Sequence, residues 1–174
     1  KGFRLAREVA AAHVNRAERF LRHDNADAAW TELLAAEGLN SGEPSASTLR
    51  QTLTKYGLAV IRAALEAGKP LAAVEHAERL RERGVRHPEL QPLIDAAQDW
   101  FLAADTADRG DFLLASTNLE RVRPRLTCPT TGLERFAADL RDRHERFRHA
   151  VSELHAAVEA QRWREAILWA DEVL

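Results

Sequence analysis

The stretch LHAAVEAQRWREAILWADEVL, residues 154–174, holds two apolar-periodic segments on either side of a short polar break, AQR at 160–162. Before the break, Leu154 and Val158 recur at helical spacing; after it, Trp163, Ala166, Ile167, Ala170, Val173 and Leu174 share one face of a 3.6-residue period. A connection this short brings two helices back antiparallel, so the stretch predicts a helix hairpin in which the long preceding helix covers that face. Leu168 and Trp169 fall outside it and call for a second neighbour.

Working outward, the same grammar repeats. Breaks occur at HDN (23–25), NSGEPS (40–45), AGKP (67–70), GVRHP (84–88), RGD (109–111) and RPRLTCPTTG (123–132). With AQR they divide the chain into eight predicted helices. Thr48 with Gln51 and Thr131 with Glu134 have capping-box spacing, Gly68 and Gly110 suit a left-handed helix stop, and Pro70 and Pro88 suit a first helical position. Aligning the tight turns at Asp24, Gly68, Gly110 and Gln161 places an alanine at the same offset each time: Ala29, Ala73, Ala115 and Ala166. Further positions stay apolar: Leu33, Ala77, Leu119 and Ala170; then Ala36, Leu80, Val122 and Val173; and, upstream, Leu21, Leu65, Ala107 and Val158. A small residue at one fixed point of the second helix lets its partner approach closely.

With that alanine and its tight turn, the chain resembles the tetratricopeptide repeat family, and Trp163 stands at the family's aromatic position before Ala166. The resemblance covers most of the chain, with turns 44, 42 and 51 residues apart against a family period of about 34. It implies an all-α fold of about eight helices: one domain over 1–174, with hairpins near 3–39, 46–83, 88–123 and 131–174 stacked as a short solenoid. It also implies that first helices line a concave groove, which by counting receives Arg22, Lys55, Arg62, Trp100, Arg148 and His155. For Trp100 the alternative is packing against a neighbouring hairpin. The family's clamp for a terminal carboxylate uses asparagines that are missing at these positions, so that specificity is not implied.

Composition agrees. Alanine is abundant, Gly and Pro are sparse, and 45% of residues are hydrophobic, which suits a helical protein with a real core. A net charge of −2 on 30% charged residues gives no single-sign bias toward nucleic acid or anionic lipid. The single cysteine, Cys128, cannot form an internal disulfide, so a reducing, cytoplasmic setting is expected. No apolar run reaches the ~18 residues that span a bilayer. The chain starts on Lys1, lacks methionine and stops inside a periodic segment, so a piece of a longer protein is expected, cut within an array or just before its cap.

Motifs that resemble catalytic signatures fail on geometry. In CPTTGLER, six residues separate Cys128 from Arg135 where a phosphatase loop has five, and the proline after the cysteine removes an amide donor. In HERFRH, His144 and His149 are five apart, so they point about 140° away from each other and cannot share a metal. Glu145, His149 and Glu153 do share a helix face, which reads as a solvated row beside Arg141, Arg146 and Arg148. The arginine-dense stretches RLRERGVR and RDRHERFR are interleaved with acids, which argues against a nucleic-acid surface, and Trp30, Trp163 and Trp169 read as inter-helix packing. The expectation is therefore a noncatalytic, cofactor-free module that binds another protein or peptide; the alternative is self-association through the 163–174 helix.

Overall fold

The computed structural model describes residues 2–40, 42, 44–126 and 130–173, with the side chains of residues 2 and 3 set aside; Thr127, Cys128, Pro129 and Leu174 lie outside the described residues. The described chain is all-helical: α1 (Gly2–Arg22), α2 (Ala26–Leu39), α3 (Pro44–Glu66), α4 (Pro70–Glu82), α5 (Leu90–Asp108), α6 (Phe112–Val122), α7 (Thr131–Glu159) and α8 (Trp163–Val173), with a short 3-10 turn at Arg123–Arg125.

The four aligned turn residues share one backbone state. Asp24, Gly68, Gly110 and Gln161 have φ of 58°, 70°, 80° and 57°, all left-handed. Each donates its N–H to the carbonyl three residues back, and the next residue donates to the carbonyl five back, as in Asp24 to Leu21 with Asn25 to Phe20, and Gln161 to Val158 with Arg162 to Ala157. That pair of bonds is the Schellman closure of a helix C-terminus. Asn25 and Asp111 then cap the following helices by accepting from the N–H groups of Ala28 and Leu114.

Helix starts depart from the sequence expectation. Thr48 is not a cap: α3 begins at Pro44, and the Thr48 hydroxyl donates to the Pro44 carbonyl inside the helix. Pro88 sits in a turn ahead of α5. The cap of α7 is Thr130, whose hydroxyl oxygen accepts from the Leu133 N–H, while Thr131 is the first helical residue.

The chain divides into two compact units, one of Lys1–Ala63 with Ala72–Ile94 and one of Ala64–Leu71 with Asp95–Leu174. In the first, α1 packs along α2 around Ala17, Ala29, Trp30 and Leu33, all buried, and α3 approaches α4 so closely at Gly57 that a Cβ there would lie 2.7 Å from the Leu80 side chain. In the second, Trp100, Ala103, Ala107, Ala115 and Val122 are buried, and α7 runs against α8. Its first turn also seats on the close of α3: the Thr131 N–H and hydroxyl both donate to the Glu66 carboxylate. A carboxylate at a helix N-terminus satisfies an orphan donor and favours the positive end of the dipole.

All four aligned alanines are buried, Ala29, Ala73 and Ala115 completely and Ala166 at 6%. Burial fades in the last hairpin, where Val158 is exposed and Leu154, Ala170 and Val173 are only half-covered. The expected inward face of α8 is corrected here: Trp163 and Ile167 are 60% and 63% exposed. The helix instead turns Ala166 and Trp169 toward α7, with the Trp169 ring edge-on to His149 at 5.6 Å.

Candidate functional site

In the first unit, a cluster around Trp30 shapes a cavity beside it. Trp30 of α2 is 1% exposed, and the guanidinium carbons of Arg50 and Arg83 stand 5.4 and 5.5 Å from its ring centroid. Such cation–π contacts contribute about 0.5–2 kcal/mol each, depending on desolvation. Arg50 is anchored further: its Nε and one terminal nitrogen donate to the two Glu37 oxygens at 2.7 and 2.5 Å, and its other terminal nitrogen donates to the Arg83 carbonyl at 3.2 Å. The Glu37 carboxylate raises the Arg50 pKa, so this charge is fixed in its protonated form. Arg83 in turn donates to Asp27, and that bond holds the Asp27 carboxyl below its ordinary range.

The bond from Arg50 to the Arg83 carbonyl ties the end of α4 to α3. Gly84 then reverses the chain at φ 72°, and Val85 closes the helix by donating to the Leu80 carbonyl and burying its side chain. A glycine is suited to this left-handed position, where a Cβ would be strained. The loop so held faces α3 across a cavity of about 500 Å³ lined by Arg50, Gln51, Thr54, Lys55, Gly84, Val85, Arg86 and His87.

Four of the lining residues are basic and none is acidic. Arg50 is spent on Glu37 and the Arg83 carbonyl, whereas Lys55 and Arg86 are exposed and make no ion pair or hydrogen bond among the described residues. The His87 Nδ1 accepts from the Glu89 N–H at 3.3 Å, which leaves the proton of the neutral ring on Nε2. Glu89, the acid nearest in sequence, is taken by Arg62 in an ion pair. The cavity therefore presents unneutralised donors and cations, a surface suited to an oxyanion.

Of the six residues counted into a groove, Lys55 lines this cavity and Arg62 engages the neighbouring Glu89. Arg22 lines a different hollow with Glu18, Ser45 and Thr48. Arg148 and His155 are exposed on α7. Trp100 needs correction as a binding anchor: it is 1% exposed and packs 6.2 Å from Phe136 within the second unit's core. Arg86 and His87 were legible only as a basic pair after a glycine helix stop; nothing in the chain order places them beside Lys55. His144 stacks on Phe112 at 5.6 Å while His149 meets Trp169, which fits the opposed directions read from their spacing.

No helix among the described residues is long and apolar enough to cross a membrane. No family model, curated protein or solved structure matches the chain.

Proposed function

We propose that this chain is a noncatalytic protein-interaction module, a helical scaffold of tetratricopeptide-like hairpins that works in the reducing interior of the cell. The observation that carries the reading is the surface of α8. Trp163, Ile167 and Leu168 are all at least 60% exposed on a helix of 11 residues. Scattered apolar residues are ordinary on a protein surface, but a tryptophan and two branched aliphatics grouped on one short helix mark a contact face. Aromatic side chains contribute most at such faces.

Quantitative capture with the immobilised chain tests it, comparing wild type with a Trp163→Ser, Leu168→Ser variant. Proteins retained by the wild type and lost from the variant support the reading; an identical set overturns it. The same patch supports a second reading, self-association. A mass that rises with concentration for the wild type and not for the variant would select that reading over a foreign partner.

A further inference from the structure

We propose that the basic cavity between α3 and the loop after α4 docks an acidic peptide segment of a partner protein, its carboxylates received by Lys55 and Arg86. The proposal rests on the interaction-module reading but uses a site in the other unit from α8. Among the described residues, Lys55 and Arg86 are the cations of the cavity without a counter-charge, while Arg50 has Glu37 and Arg62 has Glu89. Gln51, Thr54 and His87 add further donors to the same lining. The buried Val85 gives the cavity an apolar floor against which the methylenes of a glutamate side chain can lie.

Charge complementarity favours a short acidic segment over a polyanion. A nucleic-acid backbone or an anionic membrane needs a track of cations. Outside the cavity Arg83 and Arg79 are paired with Asp27, Arg81 with Glu78 and Arg16 with Glu32, and the arginines with no ion pair among the described residues, Arg7, Arg19 and Arg22, stand on α1, where none of them lines the cavity. Two open cations lining one cavity instead match one or two carboxylates.

The test uses the whole chain and four probes by fluorescence anisotropy at low salt: labelled hexaglutamate, labelled hexaglutamine, a labelled single-stranded oligonucleotide, and inorganic phosphate as competitor. Hexaglutamate should bind and hexaglutamine should not. Lys55→Gln and Arg86→Gln should each weaken hexaglutamate binding by about fivefold or more, and the double variant should abolish it. Lys55→Arg should retain binding, and Lys69→Gln, which removes an exposed lysine elsewhere, should leave it unchanged. Thermal melts matching wild type confirm that the variants fold, as expected for exposed side chains without partners.

Equal hexaglutamate affinity in the double variant overturns the proposal. So does tighter binding of the oligonucleotide, which would make the surface a nucleic-acid site. Displacement of hexaglutamate by phosphate at concentrations below those of the peptide itself would make it a small-anion site instead. None of these outcomes touches the α8 capture experiment, so the failure of one reading is separable from the failure of the other.

Discussion

A Cβ built on Gly132 would stand 2.6 Å from the Leu65 carbonyl oxygen, a distance that side chains do not tolerate against backbone. The Glu66 carbonyl lies equally near and the Gly68 N at 2.8 Å, so the first turn of α7 rests directly on the close of α3. The Leu65 carbonyl and the Gly68 N–H are bonded to each other in the closing turn, so these neighbours cannot swing aside.

Gly132→Ala is therefore expected to destabilise the protein by about 1–3 kcal/mol through forced backbone displacement. Gly38→Ala provides the contrast. That glycine lies within α2 with nothing within 4 Å of its Cβ position, so alanine should stabilise by about 0.5 kcal/mol or more. Denaturant midpoints for the two variants should move in opposite directions; equal shifts would refute the close approach at Gly132.

Trp100→Ala is expected to cost about 3–5 kcal/mol, as for a large aromatic removed from a packed core. The ring is 1% exposed and lies against Phe136, so its loss leaves a cavity in the core. A hot-spot anchor would behave otherwise, losing partner affinity while the melting temperature held. Calorimetry on the variant distinguishes the two.

The hairpin turns were readable because a helix stop is local: the left-handed residue and its two closing bonds occupy six consecutive positions, and alignment finds them even at Asp24 and Gln161, where no glycine signals them. Helix starts were less readable, since Thr130 and Thr131 offer the same side chain and only geometry chooses between them. The burial of Trp100 had a signal that counting from the turns overrode. Ala96, Trp100, Ala103 and Ala107 recur at helical spacing and are all buried. For α8, periodicity supplied one apolar face with Leu168 and Trp169 outside it, and packing on α7 takes Ala166 from that face and Trp169 from beyond it. The basic cavity was beyond reach of sequence reading, because Lys55 and Arg86 lie far apart in the chain and come to line one cavity where the loop after α4, tied by Arg50 to the Arg83 carbonyl, faces α3.

Asn118 is the polar residue that the second unit buries most deeply, at 1% exposure, and its Nδ2 has no hydrogen-bond acceptor among the described residues. An unmet buried donor costs about 1–3 kcal/mol. Threonine is close to asparagine in volume, and its hydroxyl can donate to the carbonyl four residues back, as Ser116 and Thr117 do in the same helix, so Asn118→Thr should raise the denaturant midpoint by the equivalent of about 1 kcal/mol. A lower midpoint would mean that the amide has a partner after all and that its carbonyl and nitrogen carry the local packing.

His76 gives the pH dependence. Burial lowers its pKa from the ordinary 6.5, and Arg79, which donates to the ring Nδ1 at 3.1 Å, lowers it further; Glu75 and Asp27 oppose the shift. The folded protein thus resists a proton that the unfolded chain accepts. The stability tied to neutral His76 is fully present above pH 6.5 and falls as pH drops below it, until the folded-state pKa is passed. In an NMR titration the His76 ring should show a midpoint below 6.5, and Arg79→Met should move that midpoint upward by removing the adjacent cation. The variant should also lose less stability than wild type between pH 7 and the acid side of the titration, provided the Asp27 contribution, which is lost at much lower pH because that carboxyl is held below 3.8, is kept outside the window. A midpoint at or above 6.5 would show that neither burial nor the guanidinium governs this ring, and a lowered midpoint that Arg79→Met leaves unmoved would remove the guanidinium and leave burial as the cause.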